Sequence, residues 1–92
     1  MRIAGALFIV LWIAACGQSQ SDLCKQYIAC QQEYDQQSQT GPVDVAQFEP
    51  DGLCWKSSDN AATCDQECTQ GIAANQEASA NANLDTPSCT AP

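Results

Sequence analysis

Seven cysteines are the residues of this chain with the clearest capacity for chemistry. A thiol can form a disulfide, bind zinc, exchange electrons or carry a covalent lipid. Zinc sites usually contain two groups of ligands spaced two to four residues apart, often with histidine. This chain has one such pair, Cys64 and Cys68, no histidine, and no Cys-x-x-Cys redox spacing. We therefore expect no metal, no cofactor and no redox catalysis.

The remaining polar side chains offer little for hydrolysis. Without histidine, Ser-His and Cys-His arrangements lack their general base. Lys56-Ser57-Ser58 places a lysine beside two hydroxyls, but a lysine next to a turn is normally a solvated charge. Asp65 and Glu67 fall on different faces of a helix, so they do not form a carboxylate pair. The sequence predicts a protein that is not an enzyme and identifies no small-molecule substrate.

The N-terminal residues have the layout of an export signal. Met1 and Arg2 give a short positive start, and Ile3 to Ala15 is an uncharged apolar run of 13 residues that ends in small side chains. A helix of that length covers roughly 20 Å, less than the ~30 Å hydrocarbon core of a bilayer. We therefore predict a cleaved signal peptide over residues 1–15 and not a membrane span.

The end of this run, Ile13-Ala14-Ala15-Cys16, resembles the lipobox of bacterial lipoproteins. The resemblance implies cleavage between Ala15 and Cys16, a diacylglyceryl thioether on the Cys16 sulfur, and usually an acyl group such as palmitate on the new amino terminus. Gly17 is not the aspartate that favours inner-membrane retention in enteric members, so the family rule points to the outer membrane of the bacterial cell envelope. An ordinary secretory leader cut after Ala14-Ala15 is the alternative.

The chain that remains after cleavage is acidic and poor in large apolar side chains. Two lysines face 11 acidic residues, a side-chain charge of −9. Such a chain has no basic surface for nucleic acid, and anionic headgroups repel it, so lipid must hold it to the membrane. Its 11 large apolar side chains cannot offset the entropy of folding without covalent staples. The six cysteines after Cys16 should therefore form three disulfides, and their even number supports a separate role for Cys16.

Two helices are predicted after a flexible, lipidated tether over residues 16–21. The first runs from Asp22 to about Gln39, because its apolar residues share one side and Ser21 or Asp22 can cap its first turn. Thr40-Gly41-Pro42 ends it. The second begins near Asn60 or Ala61 and ends at about Ala78.

The rest of the domain is predicted to lack regular structure. The loop from Thr40 to Ser58 is expected to be irregular and pinned by four side chains, those of Phe48, Leu53, Cys54 and Trp55. Residues 79–92 should form a loose tail tied by Cys89. The predicted fold is thus all-α: a small disulfide-stapled helical hairpin over residues 22–78, with an irregular connecting loop.

The predicted disulfide pairing assumes that the two helices are antiparallel. Cys24 and Cys30 lie about 9 Å apart along one helix, too far to bridge each other, so each should reach across to another element. The favoured pairing is Cys24–Cys68, Cys30–Cys64 and Cys54–Cys89. The rival pairing is Cys24–Cys89, Cys30–Cys68 and Cys54–Cys64.

The connecting loop holds the candidate partner contacts. Trp55, beside Cys54, can either pack over a disulfide in the core or anchor a partner, and Phe48 is the second candidate contact. The cysteine pattern resembles small cysteine-rich envelope lipoproteins, which implies no particular activity. The leading hypothesis is a non-enzymatic interaction or structural module that docks another envelope protein. The alternative is a small inhibitor or protective factor acting on an exported enzyme or toxin.

The lipobox gives a direct prediction. Replacing Cys16 with Ser removes the thiol that carries the lipid, so we expect no incorporation of labelled palmitate and an accumulated precursor that retains residues 1–15. Labelling in cells followed by intact-mass measurement checks both. A Cys16→Ser protein that is still labelled and shortened would contradict the assignment.

Overall fold

The computed structural model describes residues 18–90, and all regular structure in that range is helical. Helix α1 spans Asp22–Ser38, α2 spans Ser58–Ala82 and α3 spans Pro87–Thr90. Two short 3₁₀ turns, Ala46–Phe48 and Leu53–Lys56, lie between α1 and α2. The predicted all-α, disulfide-rich fold is confirmed. The predicted signal peptide and the lipidation site Cys16 lie outside the described residues.

Helix α1 begins and ends close to its predicted bounds. Ser21, and not Asp22, is the N-cap, and its hydroxyl accepts a hydrogen bond from the backbone N–H of Cys24 at 3.2 Å. At the other end Gln39 adopts a left-handed conformation with φ 58°, and its N–H donates to the carbonyl of Asp35. The capping hydroxyl therefore satisfies a backbone donor that the first turn would otherwise leave without a partner.

Helices α1 and α2 run in the same direction, which corrects the antiparallel arrangement expected from the sequence. Three contacts between them have the same sequence separation of 44 residues: Ser21 with Asp65, Cys24 with Cys68, and Gln31 with Asn75. The separation stays constant along the interface only when the two helices run in the same direction. The 19 residues between the helices make this possible, because they can return along all of α1, a length of about 25 Å.

The connection follows α1 back from its C-terminus to its N-terminus. Near its start the backbone N–H of Val43 donates to the Asp35 carboxylate at 3.0 Å. In the middle the Phe48 ring packs edge-on against Tyr27, with ring centroids 5.2 Å apart. The connection therefore covers one side of the helix pair, as an irregular loop with two 3₁₀ turns.

Helix α2 is longer than predicted, and the C-terminal segment is packed, not loose. The helix begins at Ser58 and continues to Ala82, four residues beyond the expected end. Ser79 and Thr86 are both buried and joined by a hydrogen bond of 2.9 Å between their hydroxyls. Ser88 then binds the Glu33 carboxylate through its backbone N–H at 2.9 Å and its hydroxyl at 2.5 Å. Polar contacts hold this segment in place. The prediction of a loose tail was wrong because it considered only the lack of apolar residues.

The three disulfides agree with the favoured pairing at one position only. Cys24–Cys68 is present as predicted, whereas Cys30–Cys64 and Cys54–Cys89 are wrong. Because the helices are parallel, Cys30 lies beside Asn75, about 16 Å along α2 from Cys64. The C-terminal segment brings Cys89 to Cys30, and the second 3₁₀ turn brings Cys54 to Cys64. The observed pairs are Cys24–Cys68, Cys30–Cys89 and Cys54–Cys64, of which the rival pairing contained the last.

Cysteines are the majority of the buried hydrophobic residues. Nine hydrophobic residues are buried in the described part of the chain, and six of them are the disulfide cysteines. The other three are Phe48, Trp55 and Ile72. The disulfides therefore supply the interior itself as well as the crosslinks.

Gly71 allows the closest approach between the helices. A Cβ atom built at this position would overlap the ring of Tyr27. The glycine costs α2 about 1 kcal/mol of helix propensity relative to alanine. That cost is offset by the room it gives the tyrosine ring.

Substituting Gly71 with Ala should therefore destabilise the protein, although alanine is the better helix former. We expect a loss of about 1–3 kcal/mol from overpacking, measured by chemical denaturation with the disulfides intact. Gly41→Ala is the matched control, because a Cβ there has no atom within 4 Å. In a Tyr27→Ala background Gly71→Ala should become stabilising by about 1 kcal/mol. A loss of stability that persists in that background would contradict the steric explanation.

Candidate functional site

The segment that follows the predicted lipidation site is bound to the connecting loop. The backbone N–H of Gln18 donates to the carbonyl of Trp55 at 3.0 Å. The side-chain amide of Gln20 donates to the carbonyl of Phe48 at 2.8 Å, and the hydroxyl of Ser21 donates to the Asp65 carboxylate at 2.6 Å. Residues 18–21 were expected to be a flexible tether, but they form the first part of the folded domain.

The carbonyl of Phe48 joins this segment to the loop. It accepts the Gln20 amide and also the indole N–H of Trp55, the latter at 3.3 Å. The Phe48 and Trp55 rings are only 7% and 4% exposed. The prediction that these two residues contact a partner is therefore wrong: both rings are core, and they position the loop.

Leu53 is the most exposed large hydrophobic residue of the described chain, at 68%. It was expected to pin the loop, yet its neighbours in the same turn, Cys54 and Trp55, take that role. Two open grooves of about 230 and 350 Å³ border it, and Gln47 lines both. A Cβ at Gly52 would overlap the backbone of Gln47, so only glycine permits the close approach that shapes this surface.

The Cys54–Cys64 disulfide borders the smaller groove. Both cysteines line it, together with Asn60, whose side-chain amide donates to the carbonyl of Leu53 at 3.2 Å. The disulfide and this hydrogen bond fix the second 3₁₀ turn to the first turns of α2. The exposed Leu53 is therefore presented by a firmly held backbone.

The side chains weighed for hydrolysis have structural contacts. The Ser57 hydroxyl accepts the backbone N–H of Asn60 at 3.1 Å and caps α2. Asp65 accepts the Ser21 hydroxyl, whereas Glu67 accepts the amide of Gln47 at 3.4 Å. Within residues 18–90 no group of three or more His, Cys, Asp or Glu residues is arranged to hold a metal ion.

Two further results concern the chain as a whole. Among the helices of the described part, none combines the length and the apolar character that crossing a membrane requires. Comparison with protein-family models, with curated proteins and with solved structures finds no match in any of the three. The site must therefore be interpreted from its own residues.

Sequence reasoning missed the roles of Gln18, Gln20 and Leu53. Two glutamines in a short polar stretch give no periodic or capping signal, because their partners are carbonyls almost 30 residues or more away. Leu53 was assigned to the interior on hydrophobicity alone. The turn Pro50-Asp51-Gly52 directly before it was the one available signal of exposure, because turns and loops run over the protein surface.

Tyr27 connects this site to the helix interface and has a perturbed ionisation. Burial raises the pKa of its phenol above the ordinary 10.0, and the negative charges of Asp35 and Glu67 raise it further. Below pH 10 the phenol is neutral in the folded and the unfolded protein, so its ionisation does not make stability depend on pH. Above that pH the unfolded state ionises first, and stability falls until the folded-state pKa is passed.

We therefore expect the free energy of unfolding to decline above pH 10 in the parent protein and to decline less in Tyr27→Phe. Denaturation series at several alkaline pH values, with disulfides intact, provide the measurement. Tyr34→Phe is the matched control, because it removes the only other tyrosine and should keep the decline. Identical pH profiles for the parent and Tyr27→Phe would show that the phenol does not contribute.

Proposed function

We propose that this protein is a lipid-anchored component of the bacterial cell envelope that acts as a non-enzymatic interaction or structural module. The observation that carries the proposal is the use of the cysteines. All six cysteines after Cys16 pair with one another, so none of them is a disulfide partner for Cys16. That arrangement is the one expected if the Cys16 thiol carries lipid.

The lipobox and the charge of the chain agree with this proposal. Ile13-Ala14-Ala15-Cys16 has the residue types that lipoprotein processing needs, and Gly17 favours the outer membrane by the family rule. The domain carries a charge of −9 after cleavage, so a covalent lipid is the natural means of attachment. Two or three acyl chains contribute on the order of tens of kcal/mol, at about 0.8 kcal/mol per methylene.

The form of the domain fits display of a surface better than turnover of a substrate. Its interior is occupied by disulfides and rings, and two open grooves lie on the loop surface. A core crosslinked in this way holds exposed side chains in fixed positions without needing a large hydrophobic interior. The partner we propose is another resident protein of the envelope.

Crosslinking in intact cells tests this function. Photoreactive residues introduced singly at Asp44, near the start of the connecting loop, and at Asp85 should capture resident envelope proteins when Cys16 is present, because both side chains are exposed. The same crosslinkers in Cys16→Ser should lose that capture, because the precursor keeps residues 1–15 and does not reach the place of the lipidated protein. Capture of a hydrolase or a toxin would favour an inhibitor instead. Turnover of a substrate by the purified domain, or a stoichiometric metal ion, would overturn the proposal.

A further inference from the structure

The lipid anchor and the folded domain are separated by almost no chain. Gln18 is hydrogen-bonded to the carbonyl of Trp55, and only Gly17 lies between Gln18 and Cys16. Two residues of chain span at most about 7 Å, whatever their conformation. A lipid on Cys16 would therefore hold the domain against the bilayer at one particular place.

That place is one end of the molecule, here named the anchor end and defined as residues 18–25 and 51–69, because residues 62–69 of α2 lie level with residues 18–25. Because α1 and α2 are parallel, both begin at this end, and the second 3₁₀ turn lies beside them. The opposite end contains Asp35 and Val43, about 20 Å further along α1. An antiparallel hairpin would have placed the start of only one helix near the anchor.

Among the described residues, each end has one exposed large hydrophobic residue, and the more exposed of the two lies at the anchor end. Leu53, 68% exposed, lies at the anchor end, whereas Val43, 48% exposed, lies at the opposite end. Leu53 follows a turn closed by the hydrogen bond from the Gly52 N–H to the Glu49 carbonyl, at 2.8 Å. Its side chain is thus available to the acyl-chain boundary next to the lipid anchor.

The charges are also unequal. Both lysines of the mature chain, Lys25 and Lys56, lie at the anchor end, together with five acidic residues: Asp22, Asp51, Asp59, Asp65 and Glu67. The net charge there is −3, and the other six acidic residues, with no lysine or arginine among them, carry −6. An anionic bilayer would therefore repel the remainder of the domain more strongly than the anchor end.

We propose that the anchor end rests on the bilayer surface with Leu53 in contact with lipid, so that α1 and α2 extend away from the membrane. This inference depends on the proposed lipidation of Cys16. The inference is that a lipid surface, and not a protein partner, covers the exposed side chain of Leu53. The acidic end of the domain is then the part exposed to other envelope proteins.

Fluorescence of the lipidated protein in vesicles tests the orientation. Trp55 is the only tryptophan after residue 15, and it lies at the anchor end. In phosphatidylcholine vesicles that contain lipids with a nitroxide on the headgroup, we expect strong quenching of Trp55. Adding a second tryptophan with Val43→Trp keeps the core intact and should introduce a component that the nitroxide does not quench.

A pair of matched variants tests the contact of Leu53 itself. Leu53→Ser should lower the quenching of Trp55, and Val43→Ser should leave it unchanged, although both replace an exposed aliphatic residue. Equal quenching of the tryptophans at 55 and 43, or no quenching of Trp55, would overturn the orientation. Equal quenching in Leu53→Ser and the parent would overturn the contact.

Flotation separates the failure of this inference from the failure of the proposed function. A protein that floats with the vesicles but shows unquenched Trp55 is anchored in a different orientation, and only the inference fails. A mature protein that does not float and has no lipid on Cys16 by mass spectrometry contradicts the proposed function itself.

Discussion

The Cys24–Cys68 disulfide joins two parallel helices, and the rest of the structure follows from that link. Parallel neighbours cannot be joined by a short turn, so the chain must cross back over the full length of α1 before α2 begins. Because the disulfide closes 44 residues, it removes a large part of the conformational freedom of the unfolded chain, about 4 kcal/mol in the chain-entropy model. The Cys30–Cys89 disulfide closes 59 residues and does the same for the C-terminal segment. A domain with three buried hydrophobic residues besides cysteine depends on such constraints.

The interface between α1 and α2 is divided along its length. At the anchor end it is apolar, and Cys24, Cys64 and Cys68 form one cluster there with Phe48 and Trp55. At the opposite end it is polar. The Asn75 amide donates to Gln31 at 2.8 Å, the Gln31 amide donates to Asp35 at 3.0 Å, and Asp35 also accepts from the loop. Among the described residues no buried side-chain nitrogen or oxygen lacks a hydrogen-bond partner, so the polar half specifies the register that the apolar half alone would leave loose.

Local structure could be predicted from the sequence, but contacts between distant segments could not. The bounds of α1 followed from a capping serine and a periodic apolar face, both of which act within a few residues. The direction of α2 did not, because a connection of this length permits either direction, and an error there moved Cys30 and Cys54 to the wrong partners. The packing of residues 79–90 depends on Ser79, Thr86 and Glu33, whose polar side chains resemble those of any solvated tail until their partners are known.

Under the proposed lipidation of Cys16, the position of the amino-terminal segment connects the parallel arrangement of the helices with membrane attachment. The hydrogen bonds from Gln18 and Gln20 to loop carbonyls require no unusual residue types. Any residue except proline has the backbone donor that Gln18 uses, and any glutamine has the amide that Gln20 uses. Their effect is nevertheless large, because they remove the freedom of the residues that separate an anchor from its domain. A flexible tether would let an acidic domain drift away from an anionic bilayer and present every face in turn. A bound segment would instead transmit the position of the proposed lipid to the core, so the contacts that complete the fold would also determine which end meets the membrane.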